Sequence, residues 1–166
     1  RAYCLEGQVA SDPDTRRGGH VFVDLVSPAA DDPADDDSSD RLTCAAFEPT
    51  KRFRDRVRAL RVGDRLTACG EVSDGTLKLE KFAVHDLVRT ERVTPTCPDC
   101  GRTMKSAGRN QGYRCRACKT ERAEKTTRDL ERDLEIGWYE VPPCARRHIA
   151  KPLVRGGFDA PTHPER

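Results

Sequence analysis

Large apolar side chains are scarce in this chain. One tryptophan, three tyrosines and five phenylalanines occur among 166 residues, and hydrophobic residues reach only 36%. A chain of this length with so few large side chains builds one medium domain or two small ones. Small cores of this kind call for a staple such as a bound metal. No apolar run approaches the length of a membrane-spanning helix, so no membrane partner is expected. No charged-then-apolar secretory start is visible, which places the protein in the cytoplasm and its cysteines in a reducing compartment. The first residue is Arg1 rather than methionine, which fits either a trimmed chain or the tail of a longer protein. A glycine-rich phosphate loop, a nucleophile beside a base and an open metal site are all missing. The chain by itself is expected to be non-catalytic.

Charge is present in quantity but unevenly placed. Residues 1–90 hold 14 basic and 17 acidic side chains, and residues 91–166 hold 16 and 11. Six of the N-terminal acids fall in one run, Asp31-Asp-Pro-Ala-Asp-Asp-Asp-Ser-Ser-Asp40. That run has nothing to bury and reads as a solvated loop. Outside it the chain is basic, which favours a polyanionic partner.

Residues 1–90 read as short strands. Tyr3 to Val9 alternate, and His20-Val-Phe-Val-Asp-Leu-Val26 puts Val21, Val23 and Leu25 on one face. Arg41–Phe47 is a third strand. The period then changes: Phe53, Val57 and Leu60 recur at helical spacing after Glu48-Pro49-Thr50, among Arg52, Arg54, Arg56 and Arg58. These arginines read as a solvated face. Arg65–Val72 and Thr76–Val84 supply strands four and five around the turn Ser73-Asp-Gly75. Five strands with a helix between the third and fourth is the order of an OB-fold barrel, and Val62-Gly-Asp-x-Leu-x-x-x-Gly-x-Val72 resembles a fourth-strand signature of such barrels. Another small barrel or a meander is the alternative. The fold class expected is thus all-β dominated: an OB-fold at 1–90, a zinc ribbon at 91–125, and a C-terminal extension at 126–166 carrying a basic motif. Near 121–135 a short helix is expected, from Leu130 and Leu134, and at 137–143 a turn or extended segment.

The ribbon rests on the cysteines. Cys97-x-x-Cys100 and Cys115-x-x-Cys118 lie 14 residues apart, a spacing that suits one structural Zn²⁺ on four thiolates. Gly101 allows the tight turn of a knuckle, and Gly108 and Gly112 allow the chain to return. Six Lys or Arg against Asp99 surround the four sulfurs. Of these, Arg102, Arg114, Arg116 and Lys119 flank the cysteines and can offset the charge of the thiolates. Cys4, Cys44, Cys69 and Cys144 are scattered. The three in strands are expected to act as small hydrophobes or partly exposed thiols. His20, His85, His148 and His163 show no metal spacing and read as surface imidazoles.

Candidate nucleic-acid contacts follow from where OB-folds and basic hairpins grip strands. On the barrel they are Arg16, Arg17, His20 and Phe22, with Lys78 and Lys81 on the fifth strand. The ribbon adds Lys105, Arg109, Tyr113, Arg114 and Arg116, and the C-terminal motif adds Arg146, Arg147 and Lys151. Phe22 is an outward aromatic suited to stacking on a base, unless it packs under a loop.

Two longer stretches carry a resemblance. Met104-Lys-Ser-Ala-Gly-Arg-Asn-Gln-Gly-Tyr-Arg-Cys-Arg-Ala-Cys118 is similar to a segment of the archaeal agmatidine synthetases. Trp138-Tyr-Glu-Val-Pro-Pro-Cys-Ala-Arg-Arg-His-Ile-Ala-Lys-Pro-Leu153 looks like that family's C-terminal motif. These enzymes attach agmatine to the wobble cytidine of an isoleucine tRNA and consume ATP. The resemblance implies a tRNA-binding portion whose upstream catalytic domains hold ATP and agmatine. The Asp-rich loop and Cys144 depart from the family. With 23 Arg, 7 Lys and 17 Asp, the composition looks salt-adapted, a setting in which shape and stacking must supplement charge. A free-standing single-stranded DNA-binding protein and a protein-interaction scaffold are the competing readings.

Overall fold

A computed structural model describes residues 1–29, 40–146 and 161–163. The chain divides into two compact units, residues 1–88 together with the chain from 132 onward, and residues 89–131.

The first unit is a closed five-stranded barrel. Its strands are β1 (Ala2–Val9), β3 (Val21–Val26), β4 (Leu42–Ala46), β5 (Arg65–Ser73) and β6 (Thr76–Asp86), with a two-residue strand β2 (Asp14–Thr15) beside β3. Hydrogen bonding runs β1–β3–β4–β6–β5 and returns from β5 to β1. Every pairing is antiparallel except β4 with β6. That order, with α1 (Phe53–Arg58) between β4 and β5, is the OB-fold order. The inward positions carry Val9, Val21, Val23, Leu25, Leu66, Leu77, Phe82 and Val84, all buried. Phe53, Val57 and Leu60 cap that core from the helix, as their spacing indicates.

The signature at 62–72 is explained residue by residue. Gly63 adopts φ +96° in the turn into β5. Leu66 points into the core. At Gly70 a Cβ would overlap the Lys78 carbonyl, so only glycine lets β5 and β6 cross this closely at the bulge between Cys69 and Gly70. Asp64 is fully buried and fully used. Its Oδ1 accepts from the Val88 N–H at 2.9 Å and from Arg132 Nη1 at 2.8 Å. Its Oδ2 accepts from the Arg61 N–H at 2.8 Å and from Arg132 Nη2 at 2.5 Å. Arg132 also donates to the carbonyls of Val88 and Ala59. The pair therefore ties together the residues at which the chain leaves this unit and re-enters it.

After re-entry the chain does not form the expected helix, and of the turn or extended segment expected at 137–143 it takes the extended form at Gly137–Glu140. Leu134 is buried in the barrel core, and β12 (Gly137–Glu140) pairs antiparallel with β6 in the register Trp138↔Ala83, Tyr139↔Phe82. Tyr139 stacks on Phe82, with ring centroids 5.2 Å apart. The helix expected near 121–135 is replaced by strands, because Thr126 and Thr127 are β-branched and find a pairing partner. Within the second unit, β11 (Thr126–Asp129) pairs with β7 (Thr90–Val93), and β8 (Lys105–Ser106), β9 (Tyr113–Arg114) and β10 (Glu121–Arg122) form a small three-stranded sheet.

The helix arginines are a solvated face only in part: Arg52 and Arg58 are exposed, Arg54 and Arg56 half-buried. Arg54 donates to the Gly19 carbonyl at 2.6 Å, Arg58 reaches Thr15 and Asp55, and Arg56 donates to the Asp133 carbonyl. They bind α1 to the β2–β3 turn and to the returning chain. The cysteines also differ from expectation. Cys4 and Cys69 lie opposite each other across β1 and β5 and form a disulfide. Cys44 is the small hydrophobe expected, and burial pushes its thiol up to about 12.

Removing one partner of the buried pair strands the other charge. Asp64→Ala or Arg132→Ala should each lower the unfolding free energy by about 3–5 kcal/mol in urea titrations. The double variant should cost far less than the sum of the two. Additive effects would show that the pair does not act as a unit.

Candidate metal centre and nucleic-acid interface

The second unit is organised by two knuckles with the same backbone pattern. In the first, the Gly101 N–H donates to the Cys97 carbonyl and the Cys97 N–H to the Arg102 carbonyl. In the second, Lys119 and Thr120 take the equivalent places around Cys115. Gly101 sits at φ +70° and Lys119 at φ +63°. The glycine is legible in the sequence. The lysine in the left-handed region is not, and it is the strained member of the pair.

These two turns bring the four sulfurs of Cys97, Cys100, Cys115 and Cys118 within 4.8 Å of one another. Cys97 and Cys115 are buried and Cys100 and Cys118 exposed. The Cys118 N–H points at the Cys115 sulfur at 3.5 Å, and the Cys100 and Cys115 sulfurs lie 3.6 Å apart. Four thiolates in tetrahedral reach, with no oxygen or nitrogen donor among them, fit a structural Zn²⁺. All four places are filled by protein, so no position is left for a catalytic water. Among the described residues, the apolar support of this centre is a small cluster in which Met104 and Tyr113 pack on Cys97 and Cys115.

Crowding shows in the thiols themselves. The Cys118 N–H and neighbouring thiols favour the Cys115 thiolate and lower it to about 7. Cys118, hydrogen-bonded to Cys100 and facing the charge of its neighbours, is raised to about 12. The protein alone keeps a proton in the cluster that a divalent cation must displace.

The second knuckle and the β8–β9 hairpin gather cations. Lys105, Arg114, Arg116 and Lys119, with Ser106 and Gln111, line an open cleft of about 450 Å³ in the ribbon. Lys105, Arg114 and Arg116 are contacts the sequence leads one to expect. Lys119 reads there only as offsetting sulfur charge, and Ser106 and Gln111 carry no signal. Glu121 sits 3.6 Å from Arg114 at the same cleft and offsets part of its charge. Arg109 is exposed outside that lining, and Tyr113 is half-buried on Met104.

On the barrel the expected residues separate. Arg16 and Arg17 are exposed. Phe22 is half-buried, with the Arg16 guanidinium 4.1 Å above its ring, so a base would have to displace Arg16 or stack beside it. His20 is committed to structure: its Nδ1 accepts from the Glu48 N–H, and its ring meets Phe47 edge-on. Lys78 is half-buried. Lys81 is buried beneath β12, with its ammonium 5.6 Å from the Trp138 ring centre, and is withdrawn from any phosphate. The alternation that points it outward is cancelled by a strand the sequence does not announce. Arg146 is paired with Glu140 at 2.6 Å. Arg147, His148 and Lys151 lie outside the described residues, as do residues 31–39 of the acidic loop.

Comparison with known proteins supplies the family. Residues 94–134 match the model of the TiaS C-terminal zinc ribbon domain. The isoleucine-tRNA 2-agmatinylcytidine synthetase TiaS of Haloquadratum walsbyi is 53% identical over 195 residues, which cover 100% of this chain and 42% of that protein. The chain belongs to the TiaS family. The TiaS of Methanosarcina acetivorans is 48% identical over 93% of the chain and 34% of its own length. Among solved structures, apo TiaS superposes with a TM-score of 0.71 at 42% identity, covering 100% of this chain and 37% of that one. A complex of TiaS with isoleucine tRNA and ATP does so with a TM-score of 0.76 at 41% identity, covering 96% and 35%. The chain thus spans about two fifths or less of these TiaS proteins. No helix among the described residues is long and apolar enough to cross a membrane.

Because protons and metal compete for the same sulfurs, zinc affinity should fall as pH falls, with protons released on binding. Competitive titration against a chromophoric chelator at several pH values measures this. Affinity independent of pH would contradict a four-thiolate site.

Proposed function

We propose that this chain is the tRNA-holding portion of an enzyme that conjugates agmatine to the wobble cytidine of an isoleucine tRNA at the expense of ATP, working in the cytoplasm. ATP and agmatine belong, in this reading, to upstream catalytic domains of the same polypeptide or of a partner chain. The observation that carries it is the likeness, over nearly the whole chain, to TiaS solved with its isoleucine tRNA and ATP. The ribbon cleft supports it chemically. Four cations from the β8–β9 hairpin and the second knuckle, with the hydroxyl of Ser106 and the amide of Gln111, form a donor set suited to backbone phosphates rather than to base edges.

The mechanism proposed is positioning. Zn²⁺ holds Cys97, Cys100, Cys115 and Cys118 and supplies rigidity alone. The cationic cleft docks phosphates. Arg16, Arg17 and Phe22 on the barrel add a second contact region, with Lys78 at its margin. Structured RNA is recognised by shape and phosphate placement, which suits such an arrangement. Within this set His20 and Lys81 take structural roles and Lys119 enters as a contact.

Competition of the isoleucine tRNA against oligo-dT over a salt series tests the reading. The tRNA should win at every salt concentration. Changing Lys105 and Arg116 to Gln should weaken tRNA binding about tenfold and lower the log–log salt slope by about 2. Oligo-dT binding as tightly as tRNA would favour the single-stranded DNA reading instead.

A further inference from the structure

The disulfide between Cys4 and Cys69 joins two residues that stand directly opposite each other in the β1–β5 ladder. Its two sides differ. Cys69 is buried and packs with Ala83 and Trp138, on the face of the sheet away from the barrel core. Cys4 is exposed. An incoming thiolate therefore meets the Cys4 sulfur, and Cys69 is the sulfur that leaves.

β1 is unevenly held. Its last residues, Gln8 and Val9, pair with β3, and Val9 also exchanges backbone hydrogen bonds with Gly63 and Asp64. From Ala2 to Gly7 the strand pairs with β5 alone among the described residues. The Val72 N–H donates to the Arg1 carbonyl, and alternation from that pair turns the Tyr3 and Leu5 N–H groups toward β5. Tyr3 and Leu5 themselves are 43% and 39% exposed, so apolar burial does little to hold this half of the strand. The disulfide supplies the fastening that burial does not.

The chain also needs thiols and a disulfide at once. The four sulfurs of the ribbon bind Zn²⁺ only as reduced thiolates. A setting that keeps those sulfurs reduced presents the same reductant to the exposed side of Cys4–Cys69. Cytosolic disulfides are usually transient or redox-sensing, and exposed ones are the labile ones.

We propose that Cys4–Cys69 is a redox-responsive clamp on the open half of β1, closed as a disulfide and opened by a low-molecular-weight thiol. The inference rests on the cytoplasmic setting of the proposed function. In opening, a thiolate of the small thiol attacks Cys4 Sγ. The bond to Cys69 breaks, and Cys69 departs with the electron pair and takes up a proton. A second small thiolate attacks its counterpart in the mixed disulfide and releases Cys4, which is protonated in turn. Two small thiols are oxidised to their disulfide and one protein disulfide is reduced to two cysteines. An excess of the small disulfide runs the exchange backwards.

The test places the zinc-loaded full chain, with zinc in excess, in buffers of reduced and oxidised glutathione at varied ratio. Alkylation and peptide mapping report the state of Cys4 and Cys69. Amide exchange reports Tyr3 and Leu5, and emission from Trp138, the single tryptophan, reports the Cys69 side. As reduced glutathione comes into excess, Cys4 and Cys69 should become alkylated together while zinc stays bound and the barrel stays folded. Protection of Tyr3 and Leu5 should then fall about tenfold while amides of β6 hold theirs. Trp138 emission should rise as the quenching disulfide opens. Cys4→Ser should show the low protection at every ratio. A pair that stays joined until urea unfolds the barrel would overturn the proposal and leave a structural cross-link. So would a pair that opens without change at Tyr3 and Leu5, or a ratio dependence that survives in Cys4→Ser. No RNA is present, so failure here is distinct from failure of the tRNA competition.

Discussion

Four sulfurs within 4.8 Å of one another are the constraint on which the ribbon depends. Thiolates packed so closely repel one another unless a cation stands among them, so without one the cluster keeps part of its protons. The raised Cys118 and lowered Cys115 express that conflict. Apart from the sulfurs, the unit from 89 to 131 has little to hold it: Met104 and Tyr113 on two buried cysteines, and strands of two to four residues. In zinc-finger peptides a structural metal supplies roughly 10–16 kcal/mol of apparent binding free energy. A contribution of that size decides whether so small a unit is ordered. The cationic cleft is built by the β8–β9 hairpin and the second knuckle, so its Arg116 and Lys119 side inherits whatever rigidity the metal gives.

The barrel solves a different problem. A unit must be inserted between β6 and the returning chain without opening the core. Asp64 and Arg132 do this by joining the points of exit and return, with every polar atom of the carboxylate occupied. β12 then extends the sheet along β6, and Pro161–His163 covers its outer edge through backbone hydrogen bonds to Trp138. Sheet edges invite unwanted pairing unless covered.

Much of this is legible in the residues. Alternation points to the strands at 3–9 and 20–26, helical spacing locates Phe53, Val57 and Leu60, and the cysteine spacing locates the metal centre. The signature at 62–72 resembles an OB-fold strand before its reasons are visible. Those reasons are a buried acid and a glycine at a crossing, which become apparent only with their partners in place. β12 is legible only as a turn or extended segment, because it has four residues, begins with glycine and is largely buried along its length, so it shows no alternation to mark it as a paired strand. Lys81 reads as an exposed contact for the same reason: the strand that covers it is not foreseen. Arg132 is hidden in a charged run in which nothing distinguishes a core partner from a solvated one. Arg54 and Arg56 look solvated because they donate to the backbone carbonyls of Gly19 and Asp133, which a sequence does not display.

Titration of the isoleucine tRNA into zinc-loaded, chelator-treated and zinc-restored protein, followed by amide spectra of both units, bears most directly on the claim that a metal-braced ribbon carries the grip. Chelation should abolish order in residues 89–131 and most of the affinity while the barrel persists, and zinc should restore both. Undiminished tRNA binding by metal-free protein with a disordered ribbon would contradict that claim.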